Sequence, residues 1–333
     1  MISTSTVRSF RHRLLNWYNK HGRDLPWRRT QDPYAILVSE FMLQQTQVAS
    51  VLSYYDKWLR RFPNFEALAR ASENDVLHAW QGLGYYARAH NLHAAAKIIS
   101  TKSHGQCPPD RDQLLSLPGI GRYTANAIAS FAFDQPLPVV DANIARLLTR
   151  LFNISAPIDS VAGRNSVWNF AAHLVGQAGA GVFNSALMDL GAIICIPRAP
   201  KCGICPVKQF CRAKNPMMLP IKKARAPLKR LREAHAFVVR QNKILLEQSA
   251  NRWCGMWILP PLRRRTRCSR PVHTATFPFT DHRVKLTVFR QSMRRQSKRQ
   301  RWFSLRDIDS IPLPSPHRRA IVNLLEKTST SPN

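Results

Sequence analysis

One glutamate in this 333-residue chain occupies a position that favours acid chemistry. Glu40 shares a helical face with Ile36, Leu37 and Leu43, so its carboxylate does not lie on a solvated stripe. Removal from water raises the pKa of a carboxylate and keeps it protonated closer to neutral pH, as a general acid requires. The spacing also allows a simpler interpretation, a glutamate at the rim of an amphipathic helix.

A second carboxylate, Asp141, precedes a helix that the sequence predicts to begin near Ile144. Either Asp141 or Asn143 is a candidate N-cap of that helix. Capping is compatible with chemistry, because backbone N–H donors lower the pKa of a carboxylate and keep it ionised. A protonated Glu40 opposite an ionised Asp141 would suit a reaction that passes through a sugar oxocarbenium ion.

Four cysteines lie close together in the sequence, and their spacing indicates a metal site. They are Cys195, Cys202, Cys205 and Cys211, separated by six, two and five residues. Four thiolates suit zinc or a [4Fe-4S] cluster, although zinc ribbons usually contain two C-x2-C pairs and this segment contains one. The chain has seven cysteines, an odd number that favours a metal site in a reducing compartment over a set of disulfides.

The composition indicates a polyanionic partner. Lysine and arginine total 50 against 19 acidic residues, which gives a formal net charge of +31. Such a charge attracts nucleic acid or an anionic membrane through long-range fields and counterion release. No apolar run approaches the length of a membrane span, so nucleic acid is favoured. The N-terminal residues lack an apolar signal core, and we therefore expect a cytosolic protein.

A glycine-rich turn is the element most suited to binding the partner's phosphates. Pro118, Gly119 and Gly121 separate two apolar helical runs, 113–117 and 124–131, which predicts a helix-hairpin-helix. Small residues there expose backbone N–H groups at the start of the second helix, where a phosphate oxygen can bind. An ordinary turn between two helices fits the same residues.

Upstream elements must bring further polar groups to Glu40. The sequence predicts a helix over 7–19 that ends at His21-Gly22, followed by a basic segment over 23–29. Asp32 and Pro33 then have the residue types of an N-cap and a first helical turn. Arginines and a tryptophan in the basic segment are able to stack on a nucleobase and to hydrogen-bond with it, but a basic loop with a tryptophan in the core fits the same residues and is favoured by the segment alone.

These motifs resemble, in order, those of the helix-hairpin-helix, Gly/Pro-Asp (HhH-GPD) DNA glycosylases, which include endonuclease III. Within that superfamily the chain is most similar to the MutY-type adenine DNA glycosylases. The resemblance runs from about Phe10 to beyond Leu286 and includes the segment from Glu40 to Gln47, the turn from Gln81 to Arg88, the hairpin, Asp141 and the cysteines.

The resemblance implies a role for individual residues. Glu40 would be the catalytic acid, and Asp141 would hold the sugar cation with Tyr123 and Asn143 nearby. The cysteines would hold a [4Fe-4S] cluster of structural role. The implied DNA and base contacts are, along the chain, Arg23, Trp27, Arg28, Gln45, Tyr85, Gly119 and Gly121.

Two positions distinguish this chain within the superfamily. Tyr123 lies where bifunctional relatives have a lysine that forms a Schiff base, so the resemblance implies a monofunctional glycosylase. Ser185 lies where the family usually has Gln or Glu in contact with the adenine edge, and that role is not transferred.

The C-terminal part resembles the Nudix-like domain of the same family. Strands are predicted around 236–248 and over 283–290, and the segment 253–260 resembles the entry to that domain. No Nudix hydrolase box follows, since Arg263, Arg264 and Arg265 stand where its carboxylates would be. Phe279, Thr280 and His282 match the family's loop that senses 8-oxoguanine, with Asp281 as an intruding residue.

We therefore expect a multi-domain protein. Its parts would be an all-α HhH-GPD catalytic domain over 1–213 with the cluster loop at 195–211, a basic proline-rich linker over 214–232, a smaller α/β Nudix-like domain over 233–328, and a tail over 329–333.

The expected function is base excision DNA repair: hydrolytic removal of adenine mispaired with 8-oxoguanine or guanine in double-stranded DNA. We expect a monomer, without membrane association, in the bacterial cytoplasm and on the nucleoid. Two alternatives are an endonuclease III-type glycosylase for pyrimidine lesions, which Tyr123 and the C-terminal domain disfavour, and a non-catalytic iron–sulfur DNA-binding protein.

Overall fold

The chain folds into two compact units. A computed structural model describes residues 3–224, 227–262, 270–292 and 296–329. The first unit contains residues 1–48 and 98–225, and the second contains residues 49–97 and 226–333. The second unit thus includes helices from the N-terminal half of the chain, a grouping that the sequence does not indicate. The predicted domain boundaries remain a prediction.

The α-helices lie in the first two thirds of the chain and at its C-terminal end. In chain order they are α1 (Thr4–His21), α2 (Pro33–Leu43), α3 (Val48–Arg61), α4 (Phe65–Arg70), α5 (Glu73–Ala79), α6 (Ala87–Lys102), α7 (Arg111–Leu115), α8 (Arg122–Phe133), α9 (Ala142–Leu151), α10 (Val161–Leu174), α11 (Ala180–Asp189) and α12 (Ser315–Ser329).

Local capping fixes where several of these helices begin. The side chain of Asp32 accepts hydrogen bonds from the backbone N–H groups of Tyr34 and Ala35 at the start of α2. Asp110 and Asp141 cap α7 and α9 in the same way. Each cap satisfies donors that the first helical turn leaves free and contributes about 1 kcal/mol. The predicted start of α2 is confirmed, and of the two candidate caps for α9 the structure selects Asp141.

The core of the first unit forms where α1, α9, α10 and α11 meet. Phe10 and Leu14 of α1, Leu148 of α9, Leu174 of α10 and Phe183 of α11 are all essentially inaccessible to solvent. Burial of one such side chain contributes roughly 1.5–3 kcal/mol to folding. This core fixes α9, which carries Asp141 at its N-terminus.

The strands of the second unit form two sheets. They are β1 (Lys229–Phe237), β2 (Val239–Arg240), β3 (Lys243–Gln248), β4 (Trp257–Ile258), β5 (His273–Phe279), β6 (His282–Arg290) and β7 (Gln300–Ser304). One sheet has the order β1-β6-β5, with β1 parallel and β5 antiparallel to β6. In the other, β3 pairs with β7 on one edge and with β2 and β4 on the other edge.

The predicted strand over 283–290 is confirmed as β6, in which Val284, Leu286 and Val288 are buried and alternate with more exposed residues. β1 begins at Lys229, inside the segment 214–232 that the sequence predicts as a linker. Pairing with β6 from His282 onward extends the sheet into that segment. The helix α12 packs on the first sheet next to β5.

The three arginines that the sequence places where a Nudix hydrolase box would have carboxylates, Arg263, Arg264 and Arg265, lie outside the described residues. In the part of the chain that the structure describes, no helix is both long enough and apolar enough to cross a membrane.

Candidate active site

Glu40 is buried in the middle of α2. Residues 34–42 of this helix are all buried, and Glu40 itself is 4% exposed, so the rim position is excluded. Its Oε2 atom has no hydrogen-bond partner among the described residues, and Glu40 is one of the residues that line a cavity. Burial raises the pKa of Glu40 to about 7, against the opposing effect of a hydrogen bond from Tyr123. The predicted proton donor is therefore protonated near neutral pH.

Tyr123 links the hairpin to Glu40. It lies in the first turn of α8, directly after the glycine turn, and its phenol donates a hydrogen bond to the Glu40 carboxyl group. Burial and the nearby carboxylates of Glu40 and Asp141 raise the pKa of Tyr123 well above its ordinary value. Tyr123 thus stays a neutral hydrogen-bond donor at every pH relevant to function.

Asp141 faces the same cavity from the N-terminus of α9. Its Oδ1 accepts a hydrogen bond from the backbone N–H of Ile144 at 2.7 Å, and its Oδ2 accepts one from Asn143 Nδ2 at 2.9 Å. The sequence predicts that these donors lower the pKa of Asp141, and this direction is wrong. Burial raises the pKa above its ordinary value and outweighs the hydrogen bonds.

A fully buried carboxylate that the sequence analysis overlooked holds two of the predicted pocket arginines. Asp189 accepts hydrogen bonds from Arg28 Nη1 at 2.7 Å and Nη2 at 2.8 Å, and from the backbone N and Nε of Arg23 at 2.7 and 2.8 Å. Its side chain is 0% exposed. Burial acts to raise the pKa of Asp189, but the bonds from Arg28 and Arg23 bring it below the ordinary value. The sequence signal was available, since Asp189 is an acidic residue in an apolar helix, as Glu40 is.

One cavity joins these groups. It has a volume of about 780 Å³ and lies within the first unit. The predicted site residues that line it are Arg23, Trp27, Arg28, Glu40, Gln45, Tyr123, Asp141 and Asn143. Ser185 also lines the cavity. Gln45, which follows α2, has a left-handed backbone conformation with φ of 56° and is exposed. The volume and the mixed polar and aromatic lining are suited to a nucleobase.

The glycine turn of the hairpin directly precedes Tyr123 in the sequence, but its glycines are not among the residues that line the cavity. Gly119 has φ of +74°, a conformation that a residue with a side chain rarely adopts. Gly121 is the N-cap of α8, no side chain caps that helix, and a Cβ at Gly121 would meet open space. The N-terminus of α8 is therefore uncapped by any side chain, and phosphate binding there stays a prediction.

Two buried arginines of α9, also overlooked, connect the site to the cysteine loop. Arg146 donates to Asn143 Oδ1 at 3.0 Å and to the carbonyl oxygen of Cys195 at 2.9 Å. Arg150, 1% exposed, donates to Cys195 Sγ at 3.4 Å and to the carbonyl oxygens of Ile196 and Pro197 at 2.8 and 2.7 Å. Their four-residue spacing places both on one face of the helix, and that spacing is the signal in the sequence.

The four cysteines suit a polynuclear cluster. A π-helical turn, Leu190–Ile194, leads into Cys195. The Cys205 thiol interacts electrostatically with the other three cysteines. Burial, together with those thiols, raises the pKa of Cys205 to about 11. Among the described residues, no group of three or more His, Cys, Asp or Glu side chains is arranged to hold a metal ion. The buried guanidinium of Arg150 beside Cys195 Sγ is suited to offset the negative charge of an iron–sulfur cluster.

The remaining predicted contacts belong to the second unit. Gly82 and Gly84 form a turn whose carbonyls at Leu83 and Gly84 accept hydrogen bonds from Arg88, and Trp80 Nε1 donates to the Gly84 carbonyl. This turn leaves Tyr85 45% exposed and buries Tyr86. An exposed aromatic ring on a fixed turn is compatible with insertion into DNA.

The predicted sensing loop is the turn between β5 and β6. Phe279 ends β5, Thr280 has φ of 51°, and His282 begins β6. The Cζ atom of Arg252 lies 4.6 Å from the centroid of the Phe279 ring. The centroids of the Phe279 and Trp253 rings are 6.0 Å apart. Both Thr280 and Asp281 are exposed.

Comparison with known families identifies two segments of the chain. Residues 38–168 match the HhH-GPD superfamily of base excision DNA repair proteins, and residues 195–211 match the iron–sulfur binding domain of endonuclease III. The predicted [4Fe-4S] cofactor is thereby confirmed. The cavity residues Glu40, Tyr123 and Asp141 all lie within the first match.

Named relatives and solved structures extend the comparison. An adenine DNA glycosylase of Buchnera aphidicola (Schizaphis graminum) is 30% identical over 95% of this chain and 99% of its own length, and one of Mycolicibacterium smegmatis is 46% identical over 61% and 68%. The human adenine DNA glycosylase is 45% identical over 63% of this chain, which spans about two fifths of that relative. The structure of a thermostable thymine-DNA glycosylase superposes with a TM-score of 0.58, at 32% identity over 62% of this chain and 96% of its own. An endonuclease III–DNA complex superposes with a TM-score of 0.54, at 21% identity over 64% of this chain and 96% of its own. The second superposition supports the helical fold.

The full-length match and the buried Glu40–Tyr123–Asp141 arrangement lead to one conclusion: the chain belongs to the adenine DNA glycosylases of the HhH-GPD superfamily.

Proposed function

We propose that this chain is a monofunctional glycosylase that hydrolyses the N-glycosidic bond of adenine mispaired with 8-oxoguanine or guanine in double-stranded DNA. The observation that carries the proposal is the buried Oε2 atom of Glu40. It lacks a hydrogen-bond partner among the described residues, and it belongs to a group with a pKa near 7 that lines one cavity together with Asp141. A proton donor and an anion in one base-sized cavity are what removal of a purine requires.

DNA binding would rest on the net charge, on the N-terminus of α8, and on the exposed side chains of Gln45 and Tyr85. A net charge of +31 attracts the duplex, and the open N-terminus of α8 after Gly121 would take one phosphate. Gln45 and Tyr85, both exposed and both in left-handed backbone conformations, would enter the base stack as adenine leaves it.

The extruded adenine would lie against Trp27 in the cavity. Arg28 is held there by Asp189, and it also donates to the Ser185 carbonyl at 3.5 Å. Because both terminal nitrogens of Arg28 are engaged by Asp189, the guanidinium would act mainly as a fixed wall of the pocket. Ser185 lines the same cavity, and a water would take the place of the contact that a longer side chain makes there.

Protonation of the base would start the reaction. Glu40 donates its proton to a purine ring nitrogen, the bond from C1′ to the base breaks, and its electron pair leaves with the neutral base. The sugar cation that remains is stabilised by the Asp141 carboxylate, which Asn143 and the N-terminus of α9 orient. Water then adds at C1′ and gives its proton to Glu40, which by that stage is a carboxylate.

Tyr123 limits the chemistry to hydrolysis. A phenol hydrogen-bonded to Glu40 cannot form the Schiff base through which a lysine cleaves the DNA strand. The product would be an intact strand with an abasic site.

The remaining parts of the molecule would position DNA. Cys195, Cys202, Cys205 and Cys211 would hold the [4Fe-4S] cluster, which when bound braces the loop that follows α11. Residues 233–328 would be a Nudix-like domain without hydrolase activity, and Phe279, Thr280 and His282 would contact the base opposite adenine. The second unit contains one mixed sheet and one antiparallel sheet, which is compatible with this assignment.

The test is single-turnover base release from duplexes that contain adenine opposite 8-oxoguanine, adenine opposite guanine, and thymine opposite guanine. The third duplex is included because a thymine-DNA glycosylase shares the fold. We expect rapid release of adenine from the first, slower release from the second and none from the third, with strand breaks only after alkali.

The matched control is Asp141→Asn, which keeps the cap acceptor of α9 but removes the anion. It should bind both mispaired duplexes and release no base. Strand nicking without alkali would instead support an endonuclease III-type enzyme. Unchanged release by Asp141→Asn would refute the assigned role, and no release by the unaltered chain would leave a non-catalytic iron–sulfur DNA-binding protein as the better description.

A further inference from the structure

The intruding residue of the predicted sensing loop makes a specific contact. Asp281 Oδ1 accepts a hydrogen bond from the Thr280 hydroxyl at 3.1 Å and contacts His282 Nδ1 at 2.7 Å. The Nζ of Lys229 lies 3.9 Å from Asp281 Oδ2 and offsets its charge. The carboxylate is therefore held between its two neighbours on the turn.

The direction of the hydrogen bond between Thr280 and Asp281 follows from their chemistry. An ionised carboxylate only accepts hydrogen bonds, whereas a hydroxyl has one proton to donate and two lone pairs. Backbone donation, the Thr280 hydroxyl and His282 lower the pKa of Asp281, which keeps it ionised. The single proton of Thr280 is thus engaged by Asp281, and only its lone pairs remain for another partner.

We propose that Asp281 orients the Thr280 hydroxyl as a hydrogen-bond acceptor and thereby makes the loop select 8-oxoguanine over guanine opposite adenine. This inference rests on the proposed function, because it takes Thr280 to be in contact with the base opposite adenine. Asp281 acts through Thr280 and is a positioning residue.

8-Oxoguanine and guanine differ at N7, the atom that the Thr280 hydroxyl would contact in this proposal. In 8-oxoguanine N7 carries a hydrogen and is a donor, whereas in guanine N7 carries a lone pair and is an acceptor. A hydroxyl free to rotate would satisfy either base. A hydroxyl whose proton is engaged by Asp281 accepts from the N7–H of 8-oxoguanine and places a lone pair against the lone pair of guanine.

The surrounding structure limits adjustment of the loop. The Phe279 ring is packed on Arg252, and Arg252 is itself held by Glu233 at 2.9 Å. On the other side of the turn, Lys229 N donates to the Asp281 carbonyl oxygen at 3.0 Å. Because the backbone is fixed at both ends, the hydroxyl can adapt to the base only by rotation, and Asp281 opposes that rotation.

The experiment compares the second-order rate constants for adenine release opposite 8-oxoguanine and opposite guanine. Asp281→Ala should reduce the preference for 8-oxoguanine about tenfold, mainly through faster release opposite guanine, since Thr280 becomes free to donate to N7. Asp281→Asn keeps a carbonyl acceptor and should retain most of the preference. Asp307→Ala removes an exposed carboxylate elsewhere in the second unit and should change both rate constants by the same factor.

A second background separates hydroxyl orientation from simple loss of negative charge. Thr280→Val removes the hydroxyl and should by itself reduce the preference, and adding Asp281→Ala to it should cause no further change. An unchanged ratio in Asp281→Ala, or an equal change with and without the hydroxyl, overturns the inference while the proposed function stands. No release of adenine from either duplex by the unaltered chain overturns both.

Discussion

Asp189 and Arg28 form a bidentate ion pair in the wall of the cavity, with N–O distances of 2.7 and 2.8 Å. The guanidinium lies near enough to Glu40 to oppose the rise in its pKa. Because Asp189 offsets the charge of Arg28, we expect the ion pair to weaken that opposition and to keep the pKa of Glu40 high.

Replacement of Asp189 tests this relationship. Asp189→Asn leaves two arginines in the pocket without their counter-ion, so we expect a loss of about 3 kcal/mol in the free energy of unfolding. The pKa of Glu40 should fall, and the alkaline limb of the pH–rate profile should move to lower pH. Asp24→Asn, which breaks the exposed pair with Arg29, is the control and should move neither quantity. An alkaline limb that stays in place in Asp189→Asn would contradict the electrostatic link.

The pH dependence of base release follows from the two carboxyl groups. The proposed mechanism requires Glu40 protonated and Asp141 ionised, so we expect the rate to fall above pH about 7 as Glu40 loses its proton. It should also fall in acid, beginning above the ordinary range of aspartate because the pKa of Asp141 is raised. The measurement is single-turnover release across the pH range, and a rate that keeps rising above pH 8 would exclude Glu40 as the acid.

The free energy of unfolding should also depend on pH through Glu40, and it should decrease as the pH rises. The pKa of Glu40 is raised from 4.5 to about 7 in the folded state, so its stabilising contribution is complete below pH 4.5 and is lost as the pH rises to about 7. Glu40→Gln should therefore stabilise the fold by about 3 kcal/mol at pH 8 and have little effect at pH 4.5. Urea unfolding of both proteins at the two pH values measures this, and equal differences at both would argue against burial of a charge.

A lysine at position 123 should change the reaction type. Tyr123→Lys places an amine beside Glu40 and Asp141, where it can attack C1′ of an abasic site. We expect strand cleavage without alkali and a protein–DNA adduct that borohydride traps. Tyr123→Phe, which has no amine, should give neither product. Absence of any adduct from folded Tyr123→Lys would mean that position 123 does not reach the sugar.

Arg150 should be needed to retain the iron–sulfur cluster. Arg150→Met keeps the length of the side chain but leaves several carbonyl groups of the cysteine loop without their donor, at a cost of about 3 kcal/mol. Iron content and visible absorbance should fall together with the melting temperature. Arg198→Met, at an exposed position in the same loop, should retain the cluster. Full iron content in Arg150→Met would show that the cysteines alone suffice.

The sequence alone was sufficient where the signal is local. The aliphatic neighbours of Glu40 on one helix favour its burial, and the helix start at Asp32 follows from capping chemistry. The structure was needed to exclude the rim position of Glu40 and to select Asp141 over Asn143 as the cap of α9. The hairpin around Gly119 and the cysteine spacing are likewise contained in short segments. Such features depend on contacts within a few residues of the chain, which the order of amino acids specifies directly.

Tertiary structure decided the features that depend on distant partners or on burial. Asp189 meets Arg23 and Arg28, more than a hundred and fifty residues away in the chain, and no local pattern specifies that pairing. The pKa of Asp141 is set by how much water the fold removes, and this effect reverses the direction that its hydrogen bonds alone predict. The sequence therefore determined which groups are available for chemistry, whereas the packing of distant segments determined their protonation and their partners.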